Sequence, residues 1–188
     1  MKESTENLKL IEEMIASAKG NIKEGSVFYL IWGWLVLIAA MLNYVLLNVV
    51  TTPYHWLPWA ILMPLGGIIS MIVGNRKKSK QNVKTYVDRA MGFLWGGFGA
   101  TLLAVLVAMP KIGPTVAYPM MIFLYGLGTF VSGGILNFKP LKLGGIACWF
   151  IGSVAVYVEF SNQLLLLALA IVVSYLIPGH LLAAKKEN

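Results

Sequence analysis

Two histidines, a single cysteine and a few carboxylates at the margins of apolar sequence are all that this 188-residue chain offers for polar chemistry. The histidines are His55 and His180, the thiol is Cys148, and the marginal carboxylates are Asp88 and Glu159. A hydrolytic metal centre needs several converging His, Cys or carboxylate ligands. A covalent hydrolase needs a nucleophile beside a base, and an ion-coupled pump usually keeps a carboxylate or His at mid-membrane depth. None of these patterns is present. No Asp, Glu, Lys or Arg falls well inside an apolar run, the two histidines lie in gaps of opposite kind, and one cysteine makes neither a disulfide framework nor a cysteine metal site. The expectation is a non-catalytic protein without a metal or cofactor.

What polarity remains inside the apolar runs is uncharged: Asn43, Thr101, Tyr125, Thr129, Ser132, Ser153 and Ser174. Such groups ordinarily bond to neighbouring helices or to carbonyls of their own helix. The alternative is that Asn43, Thr101 and Tyr125, from three different segments, line a narrow polar path. His55 sits in Pro53-Tyr54-His55-Trp56-Leu57-Pro58-Trp59, which reads as an aromatic anchor and stiff turn at a membrane boundary. His180 follows Pro178-Gly179 and reads as a solvated residue near a helix end.

These side chains must be carried by membrane helices. Hydrophobic residues make up 58% of the chain and charged residues 12%, half or less of what a soluble domain carries. The net charge of +7 does not form the concentrated patch that nucleic acid requires, so nucleic-acid binding is excluded. Six runs, at 26–47, 56–74, 90–109, 115–136, 143–158 and 163–182, read as transmembrane helices, the fifth of them short. All of the 15 Lys and Arg except Lys111 fall in alternate gaps. Basic loops stay on the cytoplasmic side, so both termini are expected there, and the outer gaps TTPYH, PKIGP and EFSN close three tandem helical hairpins. The long basic loop with Arg76, Lys77, Lys78, Lys80, Lys84 and Arg89 sets this topology and faces the anionic inner leaflet.

Three units follow: a cytoplasmic amphipathic helix (1–25), the six-helix domain (26–182) and a short cytoplasmic tail (183–188). In the first, Leu8, Ile11, Ile15, Ala18 and Ile22 recur at helical spacing, Ser4 or Thr5 can cap the start and Gly20 can end it. That helix either lies on the leaflet or packs beneath the bundle. No cleavable signal is recognisable before it. A second stripe, Val83, Tyr86, Val87 and Ala90, predicts that the third span begins inside the basic loop.

Trp32, Trp95 and Trp149 each follow the preceding basic residue by six to nine positions, one in each hairpin. They read as an interfacial belt or packing layer, with a cavity-lining ring of indoles as the alternative. Three tandem hairpins with Gly- and Trp-containing odd spans resemble the HdeD-like acid-resistance family of small bacterial membrane proteins. The resemblance covers all six spans as architecture and implies a bacterial inner (plasma) membrane location. The N-terminal helix and the long basic loop depart from the family pattern, and no site residue transfers.

The sharpest motif is steric. Gly92, Gly96, Ala100, Ala104 and Ala108 recur at four-residue intervals and make a smooth groove against which another backbone can lie. Gly66, Ser70 and Gly74, and Gly144, Cys148 and Gly152, are shorter versions. The first functional expectation is a protein that acts through helix packing, as homo-oligomer or as partner of another membrane protein, with the third span as contact face. The alternative is an uncoupled channel or facilitator for a small uncharged solute.

Overall fold

The computed structural model describes the backbone of residues 2–78 and 86–184, and the side chains of residues 25–76 and 86–184. All regular structure among them is helical: α1 (Lys2–Asn48), α2 (Leu57–Lys78), α3 (Tyr86–Ile112), α4 (Pro114–Ile135), α5 (Lys139–Ala155), α6 (Phe160–Ile171), a π-helical turn (Val172–Leu176) and α7 (Ile177–Ala184). Five stretches are long and apolar enough to cross a membrane: Gly25–Asn48, Leu57–Arg76, Tyr86–Ile112, Pro114–Ile135 and Phe160–Ala184. The sixth expected span corresponds to α5, which has 17 residues. At helical rise it is about 25 Å long, short of a hydrocarbon core of about 30 Å.

The chain does not break at Gly20, where the sequence offers a helix end, and α1 runs as one 47-residue helix into the first span. A single interior glycine costs only about 1 kcal/mol relative to alanine, and no proline is present to interrupt propagation. The side chains of the expected stripe Leu8 to Ile22 lie outside the described residues, as do those of Lys77, Lys78, Lys80 and Lys84 and the tail after Ala184. Helix α3 begins at Tyr86, before the apolar run proper. Arg76 and Arg89 are exposed near the ends of α2 and α3.

Connections are tight. A single residue, Gly113, separates α3 from α4; its φ of 80° lies in the left-handed region where a β-carbon is disfavoured, and Pro114 starts the next helix with φ already set. At the other end of α4 the chain reverses through Asn137 (φ 46°), with the Phe138 N–H donating to the Gly133 carbonyl at 2.9 Å.

The core lies among α1, α4, α5 and α6, with Val36, Ile122, Leu141, Leu164, Leu167 and Ile171 fully or almost fully buried. Close approach of α5 depends on missing side chains. A β-carbon on Gly145 would lie 2.7 Å from both the Gly126 carbonyl oxygen and the Phe130 nitrogen of α4. On Gly144 it would lie 2.8 Å from the Ser174 α-carbon in the π turn. Helix α2 rests on α1, and α3 rests on α4. Among the described residues the backbones of α2 and α3 do not approach each other, nor do those of α1 and α3. Large apolar side chains such as Ile61, Met71, Phe93, Leu103, Val107 and Phe150 are exposed over the whole periphery. Water would not tolerate so continuous an apolar surface, and it marks the chain as a multi-pass membrane protein.

Candidate functional site

Because α1 and α3 stand apart, a cavity of about 470 Å³ lies between them. One wall is α1, through Gly25, Phe28, Tyr29 and Trp32. The other is α3, through Val87, Asp88, Met91, Gly92, Trp95, Phe98, Gly99 and Leu102. Tyr125 and Leu136 of α4 and Tyr175 of the π turn complete it. On α3 these positions recur every three or four residues, so one helical face lines the space. Gly25, Gly92 and Gly99 keep the walls thin, since a β-carbon on any of them would meet nothing within 4 Å.

Aromatic rings hold the cavity open. Tyr29 and Trp95 reach across from α1 and α3 and meet edge to face, with centroids 5.9 Å apart at 75°. Tyr175 touches both, at 5.6 Å from Tyr29 and 6.1 Å from Trp95, and Tyr125 lies 5.5 Å behind it at 85°. Phe98 bridges Trp95 and Tyr125 at 5.1 and 5.2 Å. Edge-to-face packing places ring edges against ring faces and is favoured by the aromatic quadrupole.

Tyr175 is delivered by the π turn, and the turn has a local cause. Pro178 has no N–H and its ring would collide with the carbonyl four residues back, at Ser174, so the ladder widens over Val172–Leu176 before α7 resumes. Gly33 of α1 accepts this bulge closely, for a β-carbon there would lie 2.7 Å from a Leu176 methyl and 3.2 Å from the Tyr175 β-carbon. The hydroxyls of Tyr29 and Tyr175 are buried, that of Tyr29 beside the Ser132 and Trp95 side chains and that of Tyr175 beside Thr129.

Toward the opposite end of the bundle lies a layer of polar clamps. The Asn43 amide, turned so that every group is matched, accepts from the Trp59 indole N–H (2.8 Å) and donates to His55 Nδ1 (3.0 Å) and the His55 carbonyl (3.1 Å). The Tyr118 hydroxyl lies 3.4 Å from the same amide, and its ring packs on Trp59 and Phe160. Next to this layer, Gln163 is fully buried and its amide nitrogen donates to the carbonyls of Thr115 (2.8 Å) and Ala155 (2.9 Å), with Val158 at 3.3 Å. None of Asn43, His55, Tyr118 or Gln163 lines the cavity, so this polar layer is separate from it.

The residues singled out by sequence are distributed as follows. Trp32, Trp95 and Tyr125 come together in the cavity, whereas Trp149 packs on Phe130 at 5.1 Å, away from it. Asn43 belongs to the clamp. Thr101 is exposed and bonds the Gly97 carbonyl of its own helix at 2.9 Å. Asn43, Thr101 and Tyr125 thus do not share one path. All five members of the α3 stripe, Gly92, Gly96, Ala100, Ala104 and Ala108, are exposed, so among the described residues no helix covers them, and Gly92 alone among them lines the cavity. Gly144, Cys148 and Gly152 of α5, by contrast, are buried against neighbours. His180 is exposed, and among the described residues no three His, Cys, Asp or Glu group together. Tyr29, Phe98, Tyr175 and Gln163 were not anticipated. The first two could have been found from their helical spacing to Trp32 and Trp95.

No protein-family model, curated protein or solved structure matches the chain.

Proposed function

We propose that this protein is a six-span, non-catalytic membrane protein, with both termini cytoplasmic, that receives a small, mostly apolar molecule in the chamber between α1 and α3. In this reading α5 completes the sixth crossing, its short length met by local thinning or by the helices around it. The three-hairpin plan of the HdeD-like family and an inner-membrane location are part of the same proposal. The observation that carries it is the chamber itself: a volume suited to a small ligand, walled by seven aromatic side chains, between two helices whose backbones do not meet. A protein needing only a packed bundle would collapse such a space, because an empty apolar cavity is destabilising. Asn43, Thr101 and Tyr125 do not share one path, so the chamber favours binding of a molecule over an open polar pore.

The test is saturable energy transfer from tryptophan to the neutral dye N-phenyl-1-naphthylamine in lipid nanodiscs, referenced to empty nanodiscs. One dye per chain is expected, lost on Gly99→Leu, which fills the chamber where a side chain meets no obstacle. Purely non-saturable partition would refute the reading.

A second reading, self-association through α3, is favoured by the exposure of the whole small-residue stripe. Gly96→Leu with Ala100→Leu should split a detergent-stable complex, and an unchanged monomer mass in the unmutated protein would count against it.

A further inference from the structure

We propose that the first part of α1 pairs with the same segment of a second copy of this chain, as a short parallel coiled coil standing on the membrane. The backbone sets the position of this segment. Helix α1 is unbroken from Lys2 to Asn48, and its apolar span begins only at Gly25. Lying along the leaflet would require a sharp bend between the two parts, and an unbroken helix with no proline does not provide one. Nor does the bundle extend over it. Gly66 of α2 packs at Trp32 and Leu35 of α1, and Gly179 of α7 packs at Tyr29 and Leu30. At equal rise per residue, the last residues of α2 and α7, Lys78 and Ala184, come level with roughly residues 21–25 of α1. The first turn of α3 and the α4–α5 turn end in the same layer, where Val87 and Leu136 border the chamber with Gly25 and Tyr29. Among the described residues, positions 2–20 therefore stand beyond the rest of the bundle as a rod of about 28 Å.

The sequence gives this rod a seam. Leu8, Ile11, Ile15, Ala18 and Ile22 alternate spacings of three and four, the a and d positions of a seven-residue repeat. A stripe confined to a and d is the narrow contact line of a coiled coil, and β-branched residues at a, here Ile15 and Ile22, favour parallel pairs. Charge follows the same repeat. In a parallel pair Glu12 at e meets Asn7 at g, and Lys19 at e meets Met14 at g, so no like charges oppose each other. Every other charged residue of 2–24 falls at b, c or f, away from the seam. Four Lys against five Glu in this stretch leave no positive excess, whereas a helix that docks on anionic lipid carries Lys and Arg on its polar face. A second copy meets these conditions without adjustment. Insertion gives every copy the same orientation and holds Gly25 at one depth, so the helices run parallel and like positions meet at equal height. Confinement to the bilayer supplies the effective concentration that so short a seam needs.

Cysteine scanning of the full chain in native membranes tests the pairing, with Cys148→Ala removing the buried native thiol. Under mild oxidation Leu8→Cys, Ile11→Cys, Ile15→Cys and Ile22→Cys are expected to form disulfide-linked dimers at least ~10-fold faster than Lys9→Cys, Glu13→Cys, Ala16→Cys and Gly20→Cys, because only seam positions bring like residues within disulfide reach. Ile15→Glu should cut the Ile22→Cys cross-link several-fold, and unchanged dye binding in the chamber would show that the spans remain folded. The same periodicity should survive Gly96→Leu with Ala100→Leu; its loss there would make α3 the contact instead. No dimer at the seam positions, equal rates around the helix, or adducts only with another polypeptide would each overturn the proposal. So would quenching of a fluorophore on Ile15→Cys by doxyl lipid, which would place the segment on the leaflet.

Discussion

Gln163→Leu is the substitution whose outcome the geometry constrains most tightly. Residue 119 of α4 is proline, so the carbonyl of Thr115, four residues earlier, has no N–H to accept from within its own helix. The Gln163 amide supplies the missing donor at 2.8 Å, and its second strong bond, at 2.9 Å, goes to the Ala155 carbonyl at the end of α5. One side chain thus ties α4, α5 and α6 together where all three begin or end. A primary amide has two N–H groups, so the Val158 carbonyl at 3.3 Å shares rather than adds a bond. Each bond contributes about 1 kcal/mol, and each buried carbonyl left unmatched adds a penalty of about 1 kcal/mol or more. Leucine at 163 also removes an amide oxygen that is itself buried without a partner, so the net cost should be about 1–3 kcal/mol, read by tryptophan fluorescence during reversible SDS unfolding. The diagnostic result comes from a second change. Pro119→Ala restores an N–H for Thr115, so in the Gln163→Leu background it should recover about 1 kcal/mol that it does not contribute in the unmutated protein. A loss below about 0.5 kcal/mol for Gln163→Leu, or strict additivity of the pair, would refute the reasoning.

Two further outcomes are expected. Gly144→Leu forces a side chain against the Ser174 backbone and should separate α5 from the π turn, lowering stability by roughly 2 kcal/mol or more and disturbing dye binding through Tyr175, both read on the same nanodisc sample. Asn43→Leu removes the acceptor of the Trp59 indole and the partner of His55, at a cost of about 2 kcal/mol. Since the clamp lies outside the chamber, dye affinity in this variant should stay within about twofold, and a large loss would show that the two layers are coupled.

Class and most helix boundaries were legible because a membrane span is written as an uninterrupted apolar run, and such runs are hard to misplace by more than a turn. The inner wall of the bundle was harder to see. In an apolar run the same aromatic residue can face lipid, a neighbour or a cavity: Phe93 of α3 is exposed to the periphery while Phe98, five residues on, joins the chamber. Small-residue stripes are equally ambiguous. The one on α5 is buried against α4 and the π turn, and the longer one on α3 lies uncovered. Nothing local distinguishes them; the difference lies in which helix the connecting turns bring alongside. Gln163 escaped notice for a related reason: its role exists only because Pro119, 44 residues earlier, leaves a carbonyl unmatched.

The walls of the proposed chamber belong almost entirely to the apolar spans, which makes the bilayer, and not the aqueous phase, the reservoir from which it would fill. A guest with five methylenes' worth of apolar surface gains about 4 kcal/mol on entering lipid, a local enrichment of about a thousandfold. Millimolar affinity within the membrane would then register as micromolar in bulk water. Occupancy would follow the ratio of guest to lipid more closely than the concentration in solution.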